Sequence, residues 1–441
     1  MAYKEKAPLK TLVMRNILRK SGLDARHQIV FACFLATMVM YMERVGFSIA
    51  FTEMAKTAGL DAATTGTILS SFYWGYGLSQ IPGGWAAQRW GGRNTLALSF
   101  ALWSTAVLVT PSSGKEIGMI LCVRVLVGVA QGLIIPSIHT VLAQWIMPQE
   151  RARAVSLTTS GMYMGSAAAM ALLPSLAARA GPRALLRIVG LTGLSWLALW
   201  LAVGRSPPPR SGYLPLAAGH SQRRSASGMR QKPPWLRMLR HPAVWAIIVN
   251  NFTFHFAFYV VMNWMPTYFD QVLKVNLKDA GSSKMVPYLA MFACSNLGGW
   301  AGDHLITQRA YPVEAARKTV NTVGFVGTSL ALLAMPAART LRGGTMATTA
   351  TLAAAAFARG GFSVNHMDIA PAHAGVLMGL SNSAGTLSGV IGVAVTGVML
   401  KHSDGMAGWW AAFLLCAAQC LAGSVFFLFF AKGERLFGEQ I

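Results

Sequence analysis

Three arginines, Arg44, Arg124 and Arg359, stand inside apolar runs of the length that crosses a bilayer. Arg124 sits in ILCVRVLVGVAQG (120–132) with no acid near it in the chain. At a helix centre each guanidinium costs roughly 2.5–3.5 kcal/mol on insertion scales, so something must compensate it. Glu43 is the one clearly interior acid, and Asp368 lies at the end of its run. The interior is therefore net positive by one, or by two if Asp368 reaches water. Fixed positive charge away from water makes a site for an anion. Arginine suits an oxyanion because its planar fork gives two parallel charge-assisted hydrogen bonds. Snorkelling, or a tie to a backbone carbonyl, is the alternative for any one of them.

Polar residues around these charges recur at helical steps. Thr37, Tyr41, Arg44, Ser48 and Thr52 share one face of the first run, and Glu43 is rotated about 100° away from Arg44, so the two are not expected to neutralise each other. Arg124 and Gln131 are seven apart, as are Arg359 and His366, while Asn251, His255, Tyr259 and Asn263 follow strict four-residue steps. One such residue could simply be hydrogen-bond glue between helices. The set recurs in runs one, four, seven and ten, which predicts a water-lined cavity. Its expected binding residues are Arg44, Arg124, Tyr41, Gln131, His255, Tyr259 and Asn263. Glu43, His255, His366 and Asp368 are the groups that could carry a coupled proton.

The elements that must position these residues are membrane helices. The chain has 441 residues, 54% hydrophobic and only 12% charged, with a mean hydropathy of +0.45. Soluble domains carry roughly 25% charged residues. The net charge of +23 therefore does not point to nucleic acid. The pattern predicts an all-α membrane protein of twelve spans, split into a segment 1–28, a six-helix bundle 29–204, a basic linker 205–242, a second bundle 243–431 and a tail 432–441. The larger share of Lys and Arg falls on the side of the termini, which predicts that both termini are cytosolic. The linker holds eight Lys/Arg and no acid, and its Pro, Ser and Gly content predicts a disordered tether.

The two bundles look duplicated. Gly83-Gly84-Trp85-Ala86 returns as Gly298-Gly299-Trp300-Ala301, and the step Gly161 to Gly165 returns as Gly385 to Gly389. Repeated halves with a site between them are a transporter architecture. A membrane-embedded enzyme would need acids or metal ligands grouped at depth, and only Asn365-His366-x-Asp368 comes close. Cys33, Cys122, Cys294, Cys416 and Cys420 show neither paired nor metal-binding spacing, so no disulfide, metal or cofactor is expected.

The stretch SSFYWGYGLSQIPGGWAAQRWGGR resembles the second span and following loop of the anion:cation symporter (solute carrier 17-like) family, within the major facilitator superfamily. HTVLAQWIMPQERARAVSLTTSGMYMGSAAAM, NNFTFHFAFYVVMNWMPTYF and NHMDIAPAHAGVLMGLSNSAGTLSGVIGV are similar to its plant anion/phosphate branch, most of all to Golgi-resident phosphate transporters. The resemblance implies a major facilitator fold of two pseudo-symmetric six-helix bundles that rock about a central site. The implied substrate is inorganic phosphate or an organic anion such as ascorbate, glutamate or a sugar acid, with H+ or Na+ as the co-transported ion. It implies that Arg44 and Arg124 hold the anion. The family's span-four Glu falls on Gln131, which cannot titrate, so coupling would move to Glu43 or a histidine, use sodium, or be missing. Gln88, Arg89, Arg93 and Asp303 match the conformational loops, with Gln88 where an Asp is usual, so only the Asp303 latch is expected to be intact. A monomer in the Golgi membrane is expected, with the plastid envelope or another endomembrane as the alternative.

Overall fold

The computed structural model describes residues 24–111, 113–204, 233–274, 285–338, 340–402 and 406–437. Most of the basic linker, and residues 1–23, lie outside them. The described chain is helical: α1 (Ala25–Ala58), α2 (Ala62–Trp90), α3 (Gly92–Leu108), α4 (Ile117–Gly132), α5 (Ile134–Trp145), α6 (Arg151–Val203), the short α7 (Trp235–Arg240), α8 (Pro242–Gln271), α9 (Val286–Thr307), α10 (Val313–Ala334), α11 (Leu341–Ile369), α12 (Ala374–His402) and α13 (Met406–Phe430). These make twelve membrane crossings among the described residues. α4 and α5 run on as a single span, and α6 holds two. Its turning point is Gly181, whose φ of +82° suits glycine and is followed by Pro182, which cannot donate the next helical hydrogen bond.

Seven segments are long and apolar enough to cross a membrane on length and composition alone. Of the rest, α3 has only 17 residues, and α2, α9 and α11 carry buried polar groups such as Gln80, Asp303, Asn365 and Asp368. These helices are less apolar because part of each faces other helices rather than lipid.

Glycine contacts reveal the internal symmetry. A Cβ at Gly83 of α2 would overlap Leu133 of its own half, and one at Gly84 would overlap the Gly375 carbonyl of the other half. In α9, a Cβ at Gly298 would overlap Phe357 of its own half, and one at Gly299 would overlap Ala152 and Ser156 across the divide. Likewise Gly161 and Gly165 of α6 lie on Phe34, Thr37 and Met38 of α1, whereas Gly385 and Gly389 of α12 lie on His255 and Tyr259 of α8. Each repeated glycine thus performs the same packing task as its counterpart in the other half.

A stability prediction follows from the contrast between two glycines of α2. Gly84→Ala is expected to destabilise by about 1–3 kcal/mol, because the added methyl meets backbone. Gly66, with open space around its Cβ direction, should accept Ala without loss. Thermal unfolding of the purified variants checks this, and equal midpoints for the two would contradict it.

One boundary matters for the site. Hydropathy alone puts the ninth span over 319–338, because Glu314, Arg317 and Lys318 make the preceding turn polar, but α10 begins at Val313. This draws Arg317 into the bundle, where it is 0% exposed.

Candidate functional site

The interior charges of the first half form a chain between α1 and α4. Arg124 Nη1 donates to Glu43 Oε1 at 2.7 Å, Gln131 Nε2 donates to Glu43 Oε2 at 2.8 Å, and Arg44 Nε donates to Gln131 Oε1 at 3.1 Å. Glu43 is fully buried and Arg124 is 3% exposed. Arg124 is therefore not the unpaired charge that its sequence surroundings suggest: its acid lies 81 positions earlier. The reading of Arg124 as an unpaired cation is corrected, and the Gln131 amide is engaged by Arg44 and Glu43. Arg124 also stacks on Phe47, with its guanidinium carbon 3.8 Å from the ring centroid.

Arg44 points the other way. Its guanidinium carbon lies 4.7 Å from the Tyr41 ring centroid, 4.6 Å from that of Phe72 and 4.4 Å from that of Tyr76. It forms no ion pair with any carboxylate among the described residues, and its remaining hydrogen bond goes to Met40 Sδ. Cation–π contact and one amide replace part of its lost water. The positive charge stays uncompensated.

Between the halves lies a small cavity. The first half lines it with Tyr41, Tyr76 and Tyr163, and the second with His255, Tyr259, Arg359, Asn382 and Thr386. The cavity is narrow, about 20 Å³, room for about one water. Of the expected binding residues, Tyr41, His255 and Tyr259 line this space. Asn263 does not: it is exposed, and its amide donates to the Tyr259 carbonyl one turn back. Ser48 and Thr52 also turn back onto their own helix, bonding the carbonyls of Arg44 and Ser48.

The side of the cavity toward the termini is latched shut. Asp303 of α9 accepts from the Ala152 and Arg153 backbone N–H groups at 3.1 and 2.8 Å. It thus caps the start of α6 from the opposite half, a favourable place for an anion. Arg317 reaches Asp303 at 3.8 Å and Asp368 at 2.9 Å, and Arg151 reaches Asp368 at 3.5 Å and donates to the Met367 carbonyl at 3.0 Å. Asp368, a candidate for carrying a coupled proton, is thus committed to two arginines of the latch.

The second latch has a different partner rather than none. Gln88 Nε2 donates to His373 Nδ1 at 2.8 Å, joining α2 to the turn before α12. The expectation of a single intact latch is corrected. Arg89 is exposed beside the Trp85 ring, and Arg93 stays in its own half, its carbonyl accepting from Trp200 Nε1. Neither joins the halves by an ion pair among the described residues. His366 is buried against His139 of the other half, with ring centroids 5.5 Å apart, and contacts Ser381 Oγ at 2.7 Å. Higher up, Gln80 donates to Thr386 at 3.0 Å, and Asn382 donates to Gln80 and Tyr76. On the far side of the cavity the described residues form no ion pair between the halves.

Sequence reasoning did not include Arg359 among the binding residues, although its position inside a span was visible. It missed the latch arginines Arg151 and Arg317, whose signal is their spacing from acids on distant helices.

Comparison with known proteins places this geometry in context. The Major Facilitator Superfamily profile matches residues 33–393. "Probable anion transporter 6" of Oryza sativa subsp. japonica is 49% identical over 424 residues, covering 93% of this chain and 99% of that protein. "Sodium-dependent phosphate transport protein 1, chloroplastic" of Arabidopsis thaliana is 36% identical over 93% of this chain and 80% of that one. Among solved structures, the proton:xylose symporter XylE superposes with a TM-score of 0.74 at 15% identity, covering 93% of this chain and 97% of that one, which speaks to fold alone.

Proposed function

Because the chain belongs to the Major Facilitator Superfamily, in its anion:cation symporter branch, we propose that it carries a small anion across a membrane by alternating access, with inorganic phosphate as the substrate. One observation carries this reading: Arg44 is a half-buried guanidinium with no carboxylate partner among the described residues, stacked on Tyr41 and Tyr76, two tyrosines that line the cavity between the halves. An oxyanion supplies the missing charge and accepts the fork's hydrogen bonds. Its binding neutralises the site, lets the far side close, and favours release of the latches at Asp303 and Gln88. The narrow space favours a compact anion.

Transport is proposed to be coupled to H+ or Na+. Gln131 cannot titrate, and Glu43, held between Arg124 and Gln131, is the interior acid placed to take a proton. Uptake by purified protein in liposomes tests the whole reading, with phosphate as substrate and proton and sodium gradients imposed separately. Saturable phosphate uptake supports it, and its absence under every gradient would refute it. Direct flux also separates a carrier from a sensor built on the same fold.

An organic anion is the second reading, favoured by the rings that line the cavity, among them Tyr41, Phe254, Phe258 and Tyr259. Competition by a sugar acid in the same vesicles distinguishes it. Both termini are proposed to face the cytosol of a Golgi membrane, with the plastid envelope as the alternative, on the distribution of Lys and Arg and on the resemblance. Tags at both ends of the chain should be digested by protease added to sealed, cytosol-side-out vesicles; protection of either tag would overturn the orientation.

A further inference from the structure

Arg359 has surroundings unlike those of the other fully buried arginines. Arg124 has Glu43, Arg151 has Asp368, and Arg317 has Asp368 and Asp303. Arg359 is 5% exposed and forms no ion pair among the described residues. Its Nε has no hydrogen-bond partner, and its guanidinium carbon lies 4.8 Å from the Phe254 ring centroid. The polar groups that share its cavity, Tyr163, His255, Tyr259, Asn382 and Thr386 among them, include no carboxylate. Tyr163, which lines the same cavity, offers it only a neutral hydroxyl.

Stacking on one ring compensates only part of what a guanidinium loses on leaving water. A structural tie would spend the fork on carbonyls, as Arg151 does on Met367. Arg359 has no such tie among the described residues, and it lines the cavity. The cavity's other side is the tyrosine pair, Tyr41 and Tyr76, on which Arg44 is stacked. One uncompensated guanidinium thus comes from each half.

We propose that Arg359 is the anion-binding group of the C-terminal half and that, with Arg44, it makes the site selective for doubly charged anions. This rests on the reading of the chain as an anion carrier and names the charge class of its cargo. A singly charged anion leaves one of the two guanidiniums unbalanced in surroundings where water screens little. A dianion balances both. Held between groups from opposite halves, it also links the halves in the closed state, so an empty or half-neutralised site resists closing.

The test uses the full-length protein in liposomes, with phosphate as the transported anion. Above the second ionisation of both acids, in mildly alkaline buffer, phosphate and the competitor arsenate are mainly doubly charged, whereas the competitor methanesulfonate is singly charged. Arsenate is expected to inhibit wild-type uptake far better than methanesulfonate. Arg359→Gln is expected to raise the half-saturating phosphate concentration ~10–100-fold and to collapse the preference between the competitors, since one charge is then enough. Arg359→Lys should keep the preference with weaker affinity, because the charge remains and the fork is lost. Unchanged phosphate affinity and an unchanged preference in Arg359→Gln would overturn the assignment while leaving the carrier reading standing. Wild-type vesicles that move no phosphate would sink the carrier reading itself. If the Gln variant does not fold, thermal protection of the purified wild type decides: arsenate should protect more than methanesulfonate, and equal protection would overturn the proposal.

Discussion

The Arg44→Gln protein is expected to insert and fold as the wild type does and to lose phosphate uptake by about 100-fold or more, the scale of losing a charge-assisted, two-pronged contact in a site closed to water. Folding should survive because Arg44 is half-buried and engages no acid, so its removal strands no opposite charge. A glutamine can still reach toward Gln131 but brings no charge to the Tyr41 and Tyr76 side of the cavity. Arg44→Lys should recover only part of the activity: an ammonium keeps the charge, but it stacks less well on Tyr41 and Tyr76 and cannot offer two parallel donors. Uptake that is near normal in Arg44→Gln vesicles of wild-type protein content would contradict the role given to this residue.

The second prediction separates stability from transport at the buried pair. Arg124→Ala leaves Glu43 fully buried with Gln131 as its remaining hydrogen-bond donor, and Glu43→Ala leaves Arg124 buried without its acid. Each single change is expected to cost about 3–5 kcal/mol, the usual penalty for stranding one member of a buried ion pair. The double variant Glu43→Gln/Arg124→Met removes both charges and should regain most of that loss. Thermal unfolding in one detergent reads the difference, and a double variant as unstable as either single would show that the pair's geometry, not its charge balance, holds the helices. If Glu43 also carries the coupled proton, the double variant will be stable yet insensitive to an imposed proton gradient. The reason is mechanical: a protonated Glu43 no longer attracts Arg124, so α1 and α4 are free to shift, and without either charge there is nothing for the proton to release.

The helical plan of the chain was legible because a helix crossing lipid must be apolar over a fixed length, and because backbones that pack closely need glycine. The repeated Gly-Gly and Gly-xxx-Gly steps announced helix crossings that the structure displays in both halves. Arg44 was legible for the same reason: a charge inside an apolar run stands out. What the sequence hid depends on helix rotation. Glu43 and Arg44 are adjacent in the chain, yet the hundred-degree step between them sends one to Arg124 and the other onto the tyrosines. No spacing within α4 could reveal that Arg124 has its acid on α1. Arg317 was lost because a polar first turn was read as loop, although α10 starts before it. The Gln88 latch was misjudged because the partner, His373, lies 285 positions away and accepts from an amide as readily as an Asp would from a donor. Asn263 kept the four-residue rhythm of its neighbours but lies beyond the cavity, exposed.

Binding of phosphate to the purified protein, measured by titration calorimetry on the wild type and on Arg44→Gln/Arg359→Gln, tests the central claim most directly. The claim predicts saturable binding by the wild type and none by the double variant, with the same thermal stability in both absent phosphate. Equal binding by the two proteins would contradict it.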